Sequence, residues 1–147
     1  SGGIDMLHEA ASVYPRPKLW GVTVLTSMTS TDLHAIHPKA SVHPTVSRLA
    51  KMGLKHKIDG IICSGQEVEL LRDTLGPETC FITPGIRPKG SRKNDQKRVV
   101  TPGDAAKLGI RFAVIGRPIT KDNDPLAKAQ DILTEMKNAA PSSLEAA

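Results

Sequence analysis

Four short apolar runs alternate along this chain with segments of helical pattern. Each run is nearly continuous in apolar residues, which is typical of parallel strands that are covered on both faces. The runs occupy residues 19–25, 58–63, 79–83 and 112–115. Because parallel strands need crossover connections, this order predicts an α/β fold with right-handed crossovers. Two architectures fit: an open doubly wound sheet, or half of a (β/α)8 TIM barrel, since a complete barrel takes about 250 residues.

Start and stop signals place the helices. One short helix is predicted over residues 4–13, before the first strand. Four more are predicted from cap residues near 41–44 and at Ser64, Thr101 and Asp124. In the last helix, the residues predicted to face the core are Leu126, Ala129, Leu133 and Met136. We therefore expect one domain over residues 1–138, about four βα units preceded by one helix, and a frayed tail over 139–147.

A cationic loop follows the third apolar run. The segment from Arg87 to Arg98 holds six of the chain's 20 basic residues and only one of its 15 acidic residues, Asp95. A flexible basic loop at the end of a buried strand is suited to holding an anion, most simply a phosphate. Within it, Arg87 is the predicted phosphate ligand and Gln96 can add a neutral donor. The other basic residues, Lys89, Arg92, Lys93, Lys97 and Arg98, are predicted to be solvated or to steer anions.

A second strand end carries glycine and arginine, at Gly116 and Arg117. In both architectures ligands bind at the carboxyl ends of the strands, and in barrels a phosphate commonly lies between the loops after the seventh and eighth strands. If these four strands are the last four of eight, Arg87 and Arg117 belong to those two loops. The sequence therefore predicts that the two arginines converge on one phosphate.

Other classes of function fit less well. Only four aromatic residues are present, which argues against base-stacking surfaces for nucleic acid. His34 and His37 lie three apart without a nearby cysteine or paired carboxylates, so no metal site is predicted. No apolar run is long enough to span a membrane, and Cys63 and Cys80 are interpreted as small apolar residues. A cytoplasmic protein that binds neither nucleic acid nor membrane is expected.

Five motifs together are similar to one known family. They are the segments 21–28, 59–64, 83–88, 95–98 and 114–120, which read GVTVLTSM, DGIICS, TPGIRP, DQKR and VIGRPIT. In order and spacing they resemble the orotidine 5'-phosphate decarboxylases of the bacterial type, over residues 1 to about 136. The loop after the third run and the Ile-Gly-Arg-Pro strand end are the most specific part of this resemblance.

The resemblance implies a TIM barrel that forms a homodimer. It implies conversion of orotidine 5'-monophosphate to uridine 5'-monophosphate (UMP) and carbon dioxide, in pyrimidine biosynthesis, without a metal or an organic cofactor. By position, Thr26 would lie beside the nucleotide, and the phosphate would be bound by Arg87, Gln96, Gly116 and Arg117. The loop over residues 86–100 resembles the family's mobile loop, which closes over the phosphate.

One family motif has no counterpart here. The resemblance implies catalytic acidic and lysine residues in an Asp-x-Lys-x-x-Asp motif on an earlier strand, and this sequence has none. We therefore expect strands five to eight of a barrel, with the N-terminal half as a missing partner, no catalytic residue in this chain, and no activity of the chain alone. Two alternatives stay open: a non-catalytic phosphate-binding half-barrel that self-associates, and another barrel enzyme acting on a phosphosugar.

Overall fold

The computed structural model describes residues 2–91 and 95–141. Its four strands form one parallel sheet in the order β1-β2-β3-β4, which is also their order in the chain. The strands are β1 (Trp20–Val22), β2 (Gly60–Ile62), β3 (Phe81–Thr83) and β4 (Phe112–Ala113). A doubly wound sheet reverses its strand order at a switch point, whereas a barrel adds each strand beside the last. The unreversed order therefore agrees with half of a barrel, and the predicted α/β class is confirmed.

Within the described ranges, seven α-helices precede, separate and follow the strands. They are α1 (Gly3–Ser12), α2 (Ser30–His34), α3 (Val42–Lys55), α4 (Val68–Leu75), α5 (Pro102–Lys107), α6 (Arg117–Thr120) and α7 (Pro125–Ala139). A 3-10 turn over Gly65–Glu67 leads into α4. Ser64, Thr101 and Asp124 each accept a backbone hydrogen bond as caps, so these predicted helix starts are confirmed. The short helices α2 and α6 were not predicted.

The helices α3, α4 and α5 cover one face of the sheet. Side chains alternate between the two faces of a strand, and Ile61 and Phe81 point to the same face at paired positions. Both are 1% exposed and belong to the core cluster, together with Val46 and Ala50 of α3 and Val68 and Leu71 of α4. Burial of this continuous apolar set is the main stabilising contribution to the fold.

The opposite face is partly open. Trp20 and Val22 of β1 share that face with Gly60, Ile62, Ile82 and Phe112. Trp20 is 43% exposed, Val22 56% and Phe112 43%. The expectation that the strands are covered on both faces is therefore wrong for β1 and β4 in the described part of the chain, because these side chains remain exposed.

Two aromatic rings meet across the open face. The ring centroids of Trp20 and Phe112 are 5.2 Å apart, although β2 and β3 lie between their strands. Gly60 allows this approach, since a Cβ there would lie 2.8 Å from Cδ1 of Ile82 and 3.0 Å from Cδ1 of Trp20. The missing side chain leaves a shallow gap that the Trp20 ring enters.

The last helix differs from its prediction. Leu126 and Leu133 are 70% and 56% exposed, and Ile132 is the buried residue of α7. Glu135 accepts a hydrogen bond of 2.9 Å from the Gly103 amide of α5. The inward face of α7 is thus rotated from the predicted one by about one residue. Residues 142–147 of the predicted tail lie outside the described residues, and the domain boundary stays a prediction. No helix within the described ranges has both the length and the apolar character needed to cross a membrane.

Candidate functional site

The carboxyl ends of β1 and β3 meet the stem of the basic loop. Thr26, which follows β1 and is 6% exposed, donates its hydroxyl hydrogen to Oε1 of Gln96. The Thr26 carbonyl accepts from the amides of Lys97 and Arg98, at 3.1 and 3.3 Å. Thr26 and Gln96, both predicted to belong to one site, are therefore neighbours in the fold.

The two stems of the loop over residues 86–100 are paired. A parallel bridge joins Ile86 to Val100, and the Arg87 amide donates to the Val100 carbonyl at 2.9 Å. Gly85 has a φ of +80°, which favours glycine, and a Cβ there would lie only 2.9 Å from the Arg98 carbonyl oxygen. The loop thus leaves and rejoins the sheet at one place, and its residues 92–94 lie outside the described ranges.

Arg87 is buried at this base, with 7% of its surface exposed. Its Nη1 donates to the Ile86 carbonyl at 2.8 Å, while its Nε has no partner among the described residues. Burial lowers the pKa of the Arg87 guanidinium, the positive charge of Arg117 lowers it further, and Asp95 raises it. Arg87 follows β3 and Arg117 follows β4, and these two strands pair side by side in the sheet.

Arg117 is the first residue of α6, directly after Gly116 at the end of β4. It is more open than Arg87, with a side chain 37% exposed, and it forms an ion pair with Asp95. That pair lowers the pKa of the Asp95 carboxyl. Apart from its two chain neighbours, no described residue has an atom within 4 Å of a Cβ built on Gly116, so the space beside it is open.

A cavity of about 300 Å³ opens at this edge of the sheet. It is lined by residues at the carboxyl ends of β1, β2 and β3 and by the loop, including Thr26, Cys63, Pro84, Asp95 and Gln96. Cavities of about 440 and 520 Å³ lie beside β1 and near the start of β3. The smaller cavity is the better candidate site because polar groups from three segments meet there, as ligand sites require. Thr26 and Gln96 of the predicted site line this cavity, whereas Arg87 and Arg117 are not among its lining residues.

The basic residues of the loop are not all solvated, and for Arg98 that prediction is wrong. Arg98 is 8% exposed and forms an ion pair with Glu67, which is fully buried. Lys97 is half exposed and bonds Asp32 at 2.9 Å, which contributes most to the lowered pKa of that carboxyl, and Thr29 lowers it further. Lys89 is exposed, and Arg92 and Lys93 lie outside the described residues. Sequence reasoning missed Arg98 because it stands in a run of surface-like charges.

The described residues give little support to a metal site or to a reactive cysteine. No three His, Cys, Asp or Glu side chains within ranges 2–91 and 95–141 come together as metal ligands would. Burial, with a smaller contribution from Glu67, raises the pKa of the Cys63 thiol to about 12, so Cys63 stays protonated at neutral pH. The arrangement provides cationic and neutral hydrogen-bond donors at one sheet edge, which suits binding of a phosphorylated ligand.

A family model and two similar relatives all point to one family. The model of the orotidine 5'-phosphate decarboxylase / HUMPS family matches residues 1–132. The orotidine 5'-phosphate decarboxylase of Gluconobacter oxydans is 44% identical, over 95% of this chain and 62% of that protein. The one from Idiomarina loihiensis is 42% identical, over 92% of this chain and 61% of that protein.

A solved structure adds the fold. The crystal structure of orotidine 5'-phosphate decarboxylase from Lactobacillus acidophilus superimposes with a TM-score of 0.73 at 33% identity. The match covers 92% of this chain and 59% of that one. The chain thus spans about three fifths of the length of the relatives it matches.

Proposed function

Since the chain belongs to the orotidine 5'-phosphate decarboxylase / HUMPS family, we propose that it is the phosphate-binding part of an enzyme that converts orotidine 5'-monophosphate to UMP and carbon dioxide. The observation that carries this proposal is the position of Arg87 and Arg117 after β3 and β4, two strands that pair side by side in the sheet. Two guanidinium groups on adjacent rim segments match the charge of a phosphate dianion.

The phosphate ligands would be Arg87, Arg117, Gln96 and the open backbone at Gly116, with Thr26 on the nucleotide side. Each charge-assisted hydrogen bond to the phosphate contributes about 1.5–3 kcal/mol. Arg117 holds Asp95 in this structure, so an entering phosphate would take the place of that carboxylate. Gln96 bonds Thr26 through its Oε1, and its amide nitrogen can still donate to the ligand.

The role of this grip in catalysis is to hold the substrate and to close the loop. The phosphate lies far from the reacting carboxylate. Its binding energy can drive loop closure and lower the activation barrier for decarboxylation of the pyrimidine ring. Decarboxylation breaks the bond from the pyrimidine ring to the carboxylate, releases carbon dioxide, and leaves a ring carbon that takes up a proton. We assign neither the proton donor nor any other catalytic group to this chain, and we place those groups in a preceding segment.

The open face of the sheet supports a preceding segment as partner. Trp20, Val22 and Phe112 leave an apolar surface that the remaining two fifths of the relatives' length would cover. β1 and β4 are the two edge strands of the described sheet. In a closed barrel, each would pair with a strand of the preceding segment, so neither edge would stay open. We propose that the closed barrel forms a homodimer and that it is cytoplasmic, as the resemblance and the sequence indicate.

Turnover of orotidine 5'-monophosphate tests the proposal. The chain alone should show no decarboxylation, whereas the complete protein, meaning this chain with its preceding segment restored, should be active. Arg117→Ala in the complete protein should weaken UMP binding about tenfold or more while uridine binding is unchanged, because uridine has no phosphate. Decarboxylation by the chain alone, or equal loss of UMP and uridine binding, would contradict these assignments.

The same open face favours one other candidate, a half-barrel that self-associates without catalysis. In that case the chain alone should sediment as a discrete dimer and bind UMP without a preceding segment. An aggregating or monomeric chain that does not bind UMP would eliminate this candidate and leave the decarboxylase proposal standing.

A further inference from the structure

A buried ion pair lies beneath the phosphate-binding loop. The side chains of Arg98 and Glu67 are 10% and 1% exposed, and Nη1 of Arg98 contacts Oε1 of Glu67. Nη2 of Arg98 donates to the carbonyls of Val24 and Leu25, at 3.0 and 2.9 Å. The guanidinium thus joins the loop to the end of β1 and to the turn after β2.

Backbone contacts of Arg98 reinforce the same junction. Its amide donates to the Thr26 carbonyl at 3.3 Å, and its carbonyl accepts from the Ser64 hydroxyl at 3.3 Å. The other oxygen of Glu67 accepts from the Ser64 amide at 2.9 Å, which closes the capping box at the turn after β2. All of these contacts of Arg98 end at the carboxyl edge of the sheet.

Stability alone is a poor explanation for such a pair. Desolvation of two charges can exceed their attraction, and apolar residues of similar volume often serve as well or better. An apolar pair, however, could not hold the loop stem in a fixed position by directional bonds, as Arg98 does through two carbonyl groups and the Glu67 carboxylate. The directional contacts point to a requirement for position.

We infer that Arg98 and Glu67 are positioning residues of the phosphate site. The inference rests on the proposed function. Arg98 is two residues after Gln96, and Gly85, which Arg98 packs against, is two residues before Arg87. The pair therefore sets the placement of both loop-borne phosphate ligands without touching the phosphate.

The test compares binding of UMP and of uridine in the complete protein, this chain with its preceding segment. Arg98→Lys keeps the positive charge but cannot reach the carboxylate and both carbonyls together. We expect it to weaken UMP binding about tenfold or more, while uridine binding stays within about twofold. The matched control is Asp59→Asn, which breaks an arginine pair at the opposite end of the sheet and should leave both affinities unchanged.

A double variant separates positioning from folding. Glu67→Gln with Arg98→Met leaves no unpaired buried charge and keeps an oxygen that caps Ser64, so the protein should fold with near wild-type stability. Its UMP affinity should still fall about tenfold or more. A folded double variant with wild-type UMP affinity would overturn the inference, as would equal losses for UMP and uridine.

The outcomes also separate this inference from the proposal beneath it. If the wild-type complete protein binds no UMP, the proposed function is wrong and the inference falls with it. If the wild type binds UMP and both variants bind it equally well, the inference alone is wrong.

Discussion

Two arginine–carboxylate pairs, one from each end of the parallel sheet, lie in very different surroundings. At the amino end, Nη1 of Arg16 lies 2.5 Å from Oδ2 of Asp59, and both side chains are about one quarter exposed. At the carboxyl end, the pair of Arg98 and Glu67 is almost completely buried. The pair of Arg16 and Asp59 is thus partly exposed to water, whereas the pair of Arg98 and Glu67 is shielded from it.

The contacts of the two pairs explain this difference. Asp59 also accepts from the Leu19 amide at 2.7 Å, so the outer pair holds the start of β1 against the start of β2. The inner pair holds a loop that carries the predicted phosphate ligands. In barrels, ligands bind at the carboxyl end of the strands. Accordingly, we regard the amino-end pair as a contribution to stability and the carboxyl-end pair as support for the site.

The largest expected difference between the ends is in folding stability. Glu67→Ala leaves the Arg98 guanidinium buried without its carboxylate, which should lower the free energy of unfolding by about 3–5 kcal/mol. Asp59→Ala should cost clearly less, because water can solvate Arg16. Urea denaturation of both variants measures this order. Equal losses would mean that burial does not distinguish the two pairs.

Thiol reactivity gives a second comparison of the ends. Cys63 follows β2 at the carboxyl end, is 1% exposed, and has a pKa raised to about 12 mainly by burial. Cys80 precedes β3 at the amino end and is partly exposed. At pH 8 the Cys63 thiolate should be about a thousandfold scarcer than that of an unperturbed thiol.

A thiol reagent should therefore label Cys80 in the native protein and Cys63 only after unfolding. Mass spectrometry of the labelled peptides assigns the sites. Fast native labelling of Cys63 would show that the loop does not seal the carboxyl end. The Glu67→Ala variant, measured where it is still folded, should label Cys63 faster than the wild type.

Two glycines of the loop region can be compared to test how tightly its stems are packed. Gly85 and Gly90 have nearly the same positive φ, +80° and +81°, but among the described residues only Gly85 has close neighbours. Gly90→Ala should cost about 1 kcal/mol from backbone strain. Gly85→Ala should cost more, because its Cβ would also meet the Arg98 carbonyl. Thermal or urea denaturation provides both values, and indistinguishable losses would contradict the tight packing of the two stems.

The smallest expected effect is the acid dependence of the outer pair. The hydrogen bond from Arg16, with a further one from the Leu19 amide, lowers the pKa of Asp59 to about 2. A carboxyl with a lowered folded-state pKa stabilises the fold above its unfolded value, about 4, and loses that contribution as the pH falls through 2. The stability difference between wild type and Asp59→Asn should therefore be constant above pH 4 and shrink toward pH 2. A difference that does not change over this range would contradict the lowered pKa.

Much of the fold can be predicted from the sequence because apolar runs and helix caps are local signals. Nearly continuous apolar runs predicted the four strands, and the caps at Ser64, Thr101 and Asp124 predicted helix starts. The short helix α2 was missed, although Thr29 and Asp32 form a capping box there, because the following segment is rich in histidine and proline. A helix of five residues gives no periodicity to detect.

The site was harder to predict, because the contacts that hold its residues join segments far apart in the chain. Arg87, Gln96 and Arg117 could be proposed from strand ends and charge, and their role as phosphate ligands stays a prediction. Arg98 could not be separated from its basic neighbours, since its burial depends on Glu67, 31 positions earlier in the chain. Glu67 itself was explained by its cap, which uses one of its two oxygens and gives no sign of what the other binds.

The contact between Trp20 and Phe112 has a practical consequence. Trp20 is the only tryptophan of the chain, and it lies at the open face with less than half of its surface exposed. Its fluorescence is therefore an intrinsic reporter of whatever docks there: emission should move to shorter wavelength, and quenching by iodide should fall, when a complementary polypeptide excludes solvent from the indole. Reassembly of the barrel can thus be followed by titration without any attached dye.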